Sequence, residues 1–329
     1  MRAAPLLLAA LALAGCGRYA DFSLPAPGGG SPRDVRWTWE ERSSPVLDTG
    51  APDTLNPSVV FRDGLALNYF SVFDGSTWHT ELARAADGTA GLAWTREARV
   101  LSPLAHTWES SYIAANGHAI VRGGEVLYWY QAGPKGATRI GFARSRDGRS
   151  FARLTQPVLD LGPRGAWDEI SIGDPYVIEA GGTLYLYYLG QDRARRQRLG
   201  VARSPDGIRW EKLRANPVLE LGEDGAFDEN GLGEPAIWVS DGWYWMLYTG
   251  RDRKEFRRLG LARSRDGVRW ERLPHVFSGA QPWNAKVLCD PTVHPTPDGV
   301  RVWFGGGDVA SPDENLHGKI GFALLRPER

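Results

Sequence analysis

Short apolar strands separated by glycine turns recur along this chain, and residues 174–213 show the pattern most plainly. Residues 174–178 form an apolar run, Ala180-Gly181-Gly182 a turn, and residues 183–188 (Thr-Leu-Tyr-Leu-Tyr-Tyr) a strand rich in aromatics. A polar loop over residues 191–198 leads to a third strand at 199–204. Pro205-Asp206-Gly207 then makes a tight turn into a fourth strand at 209–213. The next copy repeats these steps at residues 259–264, Arg265-Asp266-Gly267 and Arg269-Trp270. In every copy a small polar or acidic residue opens the first strand: Asn56, Asn116, Asp174, Glu234 and Asp290, separated by 60, 58, 60 and 56 residues. A long period built of four short strands predicts propeller blades. The expected fold is all-β: a five-bladed β-propeller of four-stranded antiparallel blades over residues 35–329.

The last copy ends on its third strand, at residues 319–325, with no Asp-Gly turn after it. Near the other terminus, Arg36-Trp37-Thr38-Trp39-Glu40 leads into Pro45-Val46-Leu47, just as Arg209-Trp210-Glu211 leads into Pro217-Val218-Leu219. The N-terminal strand is therefore expected to complete the fifth blade and close the ring, leaving no open edge.

In such a blade the start of strand one, the approach loop before it and the loop between strands two and three share one rim. The Asp-Gly turns lie on the opposite face. Innermost strands crowd the axis, so Asn56, Asn116, Asp174, Glu234 and Asp290, with His118 nearby, are expected to converge on a central funnel, the default binding site. Crowded carboxylates raise one another's pKa and supply a protonated acid at neutral pH. The alternative for each is a strand-start device in which the side chain caps turn amides.

The approach loops carry Trp108-Glu109, Trp167-Asp168-Glu169, Phe227-Asp228-Glu229 and Trp283-Asn284. Trp108, Trp167, Phe227 and Trp283 are candidates for stacking on sugar rings, with packing inside the blade as the alternative. Arg193 and Arg251, in the basic loops, are candidates for holding an anionic group such as a uronate or phosphate, with solvated turns as the alternative. Equal numbers of basic and acidic residues, 39 each, give no general pull towards nucleic acid. No cluster has metal-ligand spacing and no Ser/His/Asp nucleophile motif occurs.

At the N-terminus, Met1-Arg2 and an apolar run too short to span a bilayer read as a secretory signal. Leu13-Ala14-Gly15-Cys16 resembles the bacterial lipoprotein cleavage box. That resemblance implies removal of residues 1–15, a lipid on Cys16 and a place in the bacterial cell envelope, at the outer membrane or cell surface. Residues 16–34, rich in Pro, Gly and Ser, read as a flexible tether. With Cys16 modified, Cys289 is the remaining thiol, so no intramolecular disulfide forms. A monomer is expected.

The five blades, the strand starts and the turns Ser145-Arg146-Asp147-Gly148, Ser204-Pro205-Asp206-Gly207 and Ser264-Arg265-Asp266-Gly267 resemble the five-bladed propeller glycoside hydrolase superfamily. This group holds the family 43 arabinanases and xylosidases, the family 32 invertases and the levansucrases. The resemblance implies a glycosidase acting on a polysaccharide or oligosaccharide, with Glu234 as proton donor and Asp174 tuning it. The family's basic Asp on blade one is Asn56 here, and an amide takes no proton from water. Glu234 also adjoins Pro235 directly, where the family usually places a small residue between. Asp53, Glu169 or Asp168 could supply the missing base. Otherwise the protein binds glycans without cleaving them, or is a phosphorolytic relative using the basic loops. No cofactor is predicted, while the funnel is compatible with a structural calcium ion.

Overall fold

The computed structural model describes residues 19–328 apart from 29, 87, 88 and 90–92. Two short strands, β1 (Tyr19–Ala20) and β2 (Trp37–Glu41), precede the repeats. Blade one is β3 (Asp53–Arg62), β4 (Leu65–Phe73), β5 (Trp78–Ala86) and β6 (Thr95–Leu101). Blade two is β7 (Ile113–Arg122), β8 (Glu125–Gly133), β9 (Arg139–Ser145) and β10 (Ala152–Arg153). Blade three is β11 (Ser171–Ala180), β12 (Thr183–Gln191), β13 (Gln197–Ser204) and β14 (Glu211–Leu213). Blade four is β15 (Gly231–Ser240), β16 (Trp243–Arg251), β17 (Arg257–Ser264) and β18 (Glu271–Phe277). Blade five holds β19 (Val287–Thr296), β20 (Gly299–Gly307) and β21 (Lys319–Pro327). Its fourth strand is β2, antiparallel to β21 from Trp37↔Pro327 to Glu41↔Ala323. The ring closes as the missing turn predicts.

Neighbouring blades meet at the funnel end through short parallel bridges between one third strand and the next first strand. These are Trp78↔Ile113, Gln197↔Gly231, Arg257↔Val287 and, across the closure, Gly318↔Asp53. At the other end the Asp-Gly turns of blades two, three and four latch onto the preceding blade. Tyr69 Oη donates to the Gly148 carbonyl, Trp129 Nε1 to Gly207 and Tyr187 Oη to Gly267, at 2.7, 2.8 and 2.7 Å. Gly207 is needed there: its φ is +76°, and a Cβ would sit 2.7 Å from the Trp129 ring. Trp210, read from sequence as part of a strand, instead folds over its own turn and donates to the Gly207 carbonyl at 3.0 Å, so β14 starts one residue later.

From Tyr19 onward the expected flexible tether is a docked strap. β1 adds in parallel to β14 at the rim of blade three. Leu24 is buried over Gly267 and its amide donates to the Asp266 carbonyl at 2.8 Å. Tyr244 Oη donates to the Pro25 carbonyl, and Trp243 Nε1 to that of Arg33. The strap thus crosses blades three and four on the turn face before entering β2. Residues 1–18, with the signal sequence and Cys16, lie outside the described residues. Among the described residues no helix is long and apolar enough to cross a membrane.

Candidate functional site

Each first strand carries the same irregularity where it reaches the axis. Pairing skips between Leu55 and Ser58, Ala115 and His118, Gly173 and Tyr176, Gly233 and Ala236, and Cys289 and Thr292. Inside each skip sits the residue expected to open the strand, which is in fact its fourth because the strand begins three residues earlier, in left-handed backbone: Asn56 at φ 48°, Asn116 at 46°, Asp174 at 48°, Glu234 at 48° and Asp290 at 52°. A bulge of this kind re-aims a side chain. Asn and Asp tolerate the conformation better than other residues bearing a Cβ, which accounts for four of the five identities. The five line a cavity of about 460 Å³ at the funnel end.

Its floor is a cluster of buried groups within hydrogen-bond reach of one another. Asn56 donates to Asp290 through Nδ2, at 2.8 Å, and through its amide, at 3.3 Å. The Cys289 thiol adds a contact at 3.1 Å. Burial, and next the charge of Glu234, hold the Asp290 carboxyl well above the usual carboxylate range. The same two causes push Asp174 up to about 8, against the Asn116 amide and Arg257, which favour its charged form. The floor therefore carries acid protons at neutral pH. Glu234 Oε2 is buried without a hydrogen-bond partner. Donor atoms of Glu234, Cys289 and Asp290 lie within 4.8 Å of one another, closer than the roughly 6.5–9.5 Å that an inverting carboxyl pair needs to seat a water.

This donor set does not fit calcium, which takes roughly six to eight oxygens. The group offers two carboxylates and a thiol held protonated by burial and by Asp290 and Glu234, and Arg257 adds a positive charge beside them.

The alternative bases do not reach the funnel. Asp53 is fully buried, and its carboxylate accepts the amides of Asn315, Leu316 and Gly318 at 2.6, 2.8 and 2.9 Å, which anchors the loop before β21. Asp168 accepts from Lys212 Nζ at 2.6 Å and from Tyr188 Oη at 3.1 Å inside blade three. The pattern recurs: Glu109 binds Tyr130 and Arg153, and Asp228 binds Tyr248 and Arg272. Glu169 takes the Gly165 amide and pairs with Arg193 at 3.0 Å, so this acid ties the approach loop to the basic loop that follows β12. We expect Asp168→Ala to destabilise the fold by about 3–5 kcal/mol, because it strands the buried Lys212 charge. Chemical denaturation measures this, and an unchanged midpoint would remove the pinning role.

The approach-loop aromatics also serve the blades. Trp167 covers Gly190 and Gly200, Phe227 covers Gly250 and Gly260, and Trp283 covers Gly306 and Gly321. Trp108 packs against the core of blades one and two. The aromatics that do line the cavity are Tyr112 and Trp78, which the sequence reading missed. His118 lies on the axis below the floor, where its Nδ1 accepts the Val177 amide and burial pushes its pKa down to about 3.

Arg251 does line the cavity, together with Lys135, Arg195 and Arg257. Arg251 pairs with Glu255 at 3.0 Å. Arg257 Nη2 donates to two carbonyl oxygens, Ser311 and Pro312, which leaves its charge for the cavity. Lys135 sits in the second-to-third-strand loop of blade two, the counterpart of the loop holding Arg193 and Arg195. That correspondence was the available signal for it.

Propeller and carboxyl-lined funnel together define a protein of the five-bladed-propeller glycoside hydrolase superfamily. Solved structures with this fold include a member of a family of mannoside phosphorylases that contains glycoside hydrolases targeting β-1,2 mannosidic linkages in Candida mannan, at TM-score 0.67 and 16% identity over 93% of this chain and 96% of that one. A thermostable family-43 glycoside hydrolase has TM-score 0.63 and 14% identity over 94% and 96%. The chain belongs to the glycosyl hydrolases family 32 N-terminal domain family, whose model matches residues 91–289. It is 27% identical over 229 residues to an uncharacterized protein of Mycobacterium tuberculosis, covering 65% of this chain and 75% of that protein. It is also 32% identical over 126 residues to a 1,2-beta-oligomannan phosphorylase of Thermoanaerobacter sp., covering 36% and 42%.

Proposed function

We propose that this protein cleaves glycosidic bonds in the funnel and passes the glycosyl group to inorganic phosphate. The observation that carries the reading is an acid floor with an amide, Asn56, at the base position, facing a wall that holds Arg257, Arg251, Arg195 and Lys135. Hydrolysis needs a group to take a proton from water. A phosphate dianion is already a nucleophile and needs cationic hydrogen-bond donors instead. In this scheme a phosphate oxygen bonds to the anomeric carbon, the glycosidic C–O bond breaks, and the departing oxygen takes a proton from the Asp174–Glu234 pair. The products are a glycosyl phosphate and a shortened glycan. The similarity to an oligomannan phosphorylase supports a β-1,2-linked mannoside as the first substrate to try.

Family membership favours hydrolysis as the second reading. Incubation with mannan, fructan, arabinan and xylan oligosaccharides, with and without phosphate, separates the two. Phosphate-dependent release of sugar 1-phosphate is expected. Free sugar at equal rates without phosphate would establish the hydrolase, and binding without turnover a glycan receptor. We also propose, from the sequence around Cys16, that the mature protein is lipid-anchored in a bacterial envelope.

A further inference from the structure

We infer that the face opposite the funnel rests on a lipid surface, so that an acyl group on Cys16 would set the propeller's orientation as well as its location. This rests on the proposed lipidation. The new element is the strap. A flexible tether of residues 16–34 would let the body tumble, but the chain is fixed from Tyr19, where β1 pairs with Lys212 and Leu213. Three peptide steps separate Cys16 from Tyr19, a reach of at most about 11 Å. β1 runs parallel to β14, which rises from the Asp206-Gly207 turn. Tyr19 is therefore the turn-side end of β1, and the chain goes on over that face, with Leu24 seated on Gly267.

The turn face suits such a contact. Leu65, Val121, Ile208 and Val239 stand on or next to its turns, one in each of blades one to four, at 38, 39, 40 and 41% exposure. Arg146 and Arg269, with side chains 91 and 90% exposed, lie among them. Asp147 is exposed on the same turn, its Oδ1 accepting the Arg149 and Ser150 amides at 2.8 and 2.7 Å. Scattered apolar tips with exposed arginines among them, Arg146 beside Glu125 and Arg269 beside Asp266, match the mixed polar and apolar boundary between acyl chains and headgroups. With a lipid bonded a few residues away, this surface meets a membrane before any other partner. The funnel then opens away from the bilayer, towards soluble glycan.

The test uses full-length protein purified from bacterial membranes and placed in vesicles of phosphatidylethanolamine and phosphatidylglycerol. Single-cysteine variants Arg209→Cys and Arg269→Cys report the turn face, and Arg164→Cys and Lys254→Cys the funnel rim. Cys289 is buried and silent. Maleimide labelling on vesicles is expected to slow about fivefold or more at 209 and 269 and to stay unchanged at 164 and 254. Leu24→Asp, which frees the strap, should abolish the shielding while the protein stays membrane-bound. Equal labelling of both faces in acylated protein overturns the orientation and leaves the anchor standing. Shielding that survives Leu24→Asp also overturns it, as does shielding in Cys16→Ser protein without vesicles, which would reveal a second copy on this face. Absence of acyl mass on Cys16 removes the anchor and the orientation together. Glycoside turnover is untouched by any of these outcomes, so the funnel chemistry stands or falls separately.

Discussion

Replacing Glu234 by glutamine is expected to lower glycosidic cleavage by about 10²–10⁴-fold while glycan affinity stays near that of the unaltered protein. The amide keeps the size and polarity of the carboxyl but exchanges no proton. A second readout separates chemistry from damage. Glu234 charge is one of the two causes holding Asp174 up, after burial. In the unaltered protein activity should decline as pH rises through about 8, where Asp174 loses its proton. In Glu234→Gln that limb should move to lower pH, since one repulsive charge is gone. Initial rates across the range report the titration of the pair rather than of either residue alone. Full activity in Glu234→Gln would assign the acid elsewhere, with Asp290 next. Stability follows the same sign: the native state keeps protons on Asp174 and Asp290 that the unfolded chain has released, so stability falls as pH rises from the ordinary carboxylate range towards 8.

Deleting residues 36–42 should have the largest effect on folding. It removes β2 and leaves β21 as a bare edge. It also removes Trp37, 4% exposed, which stands edge-on to Trp238 and Trp245 at 5.7 and 5.4 Å and so fastens blade five to blade four. Trp37→Ala alone is expected to cost about 3–5 kcal/mol. The deletion should yield aggregated or uncooperatively unfolding protein by size exclusion and denaturant titration. A soluble monomer with an unchanged midpoint would show that closure adds nothing.

The blades were legible because strand alternation and turn residues are local signals. Closure was legible because a missing Asp-Gly turn at one end matched a spare Arg-Trp strand at the other. The funnel floor was found by counting strand starts. What stayed hidden depends on partners distant in sequence. Whether Asp168 turns towards the funnel or into its blade is decided by Tyr188 and Lys212, 20 and 44 residues away. The composition of residues 16–34 reads as flexible, yet Leu24 finds the gap left by Gly267 in blade four. Asp53 lies close to Asn56 in sequence but is claimed by the amides of a loop 262 to 265 residues later.

The five left-handed bulge residues have an evolutionary meaning. The backbone fixes five sockets round the axis, and substitutions among asparagine and aspartate change the chemistry of a socket without asking the chain to refold. Such a ring can be converted from one reaction to another by single codon changes. Glu234 is the exception, a longer side chain in a conformation that glutamate disfavours by about 1–2 kcal/mol. At that one socket the protein has kept reach at the expense of stability.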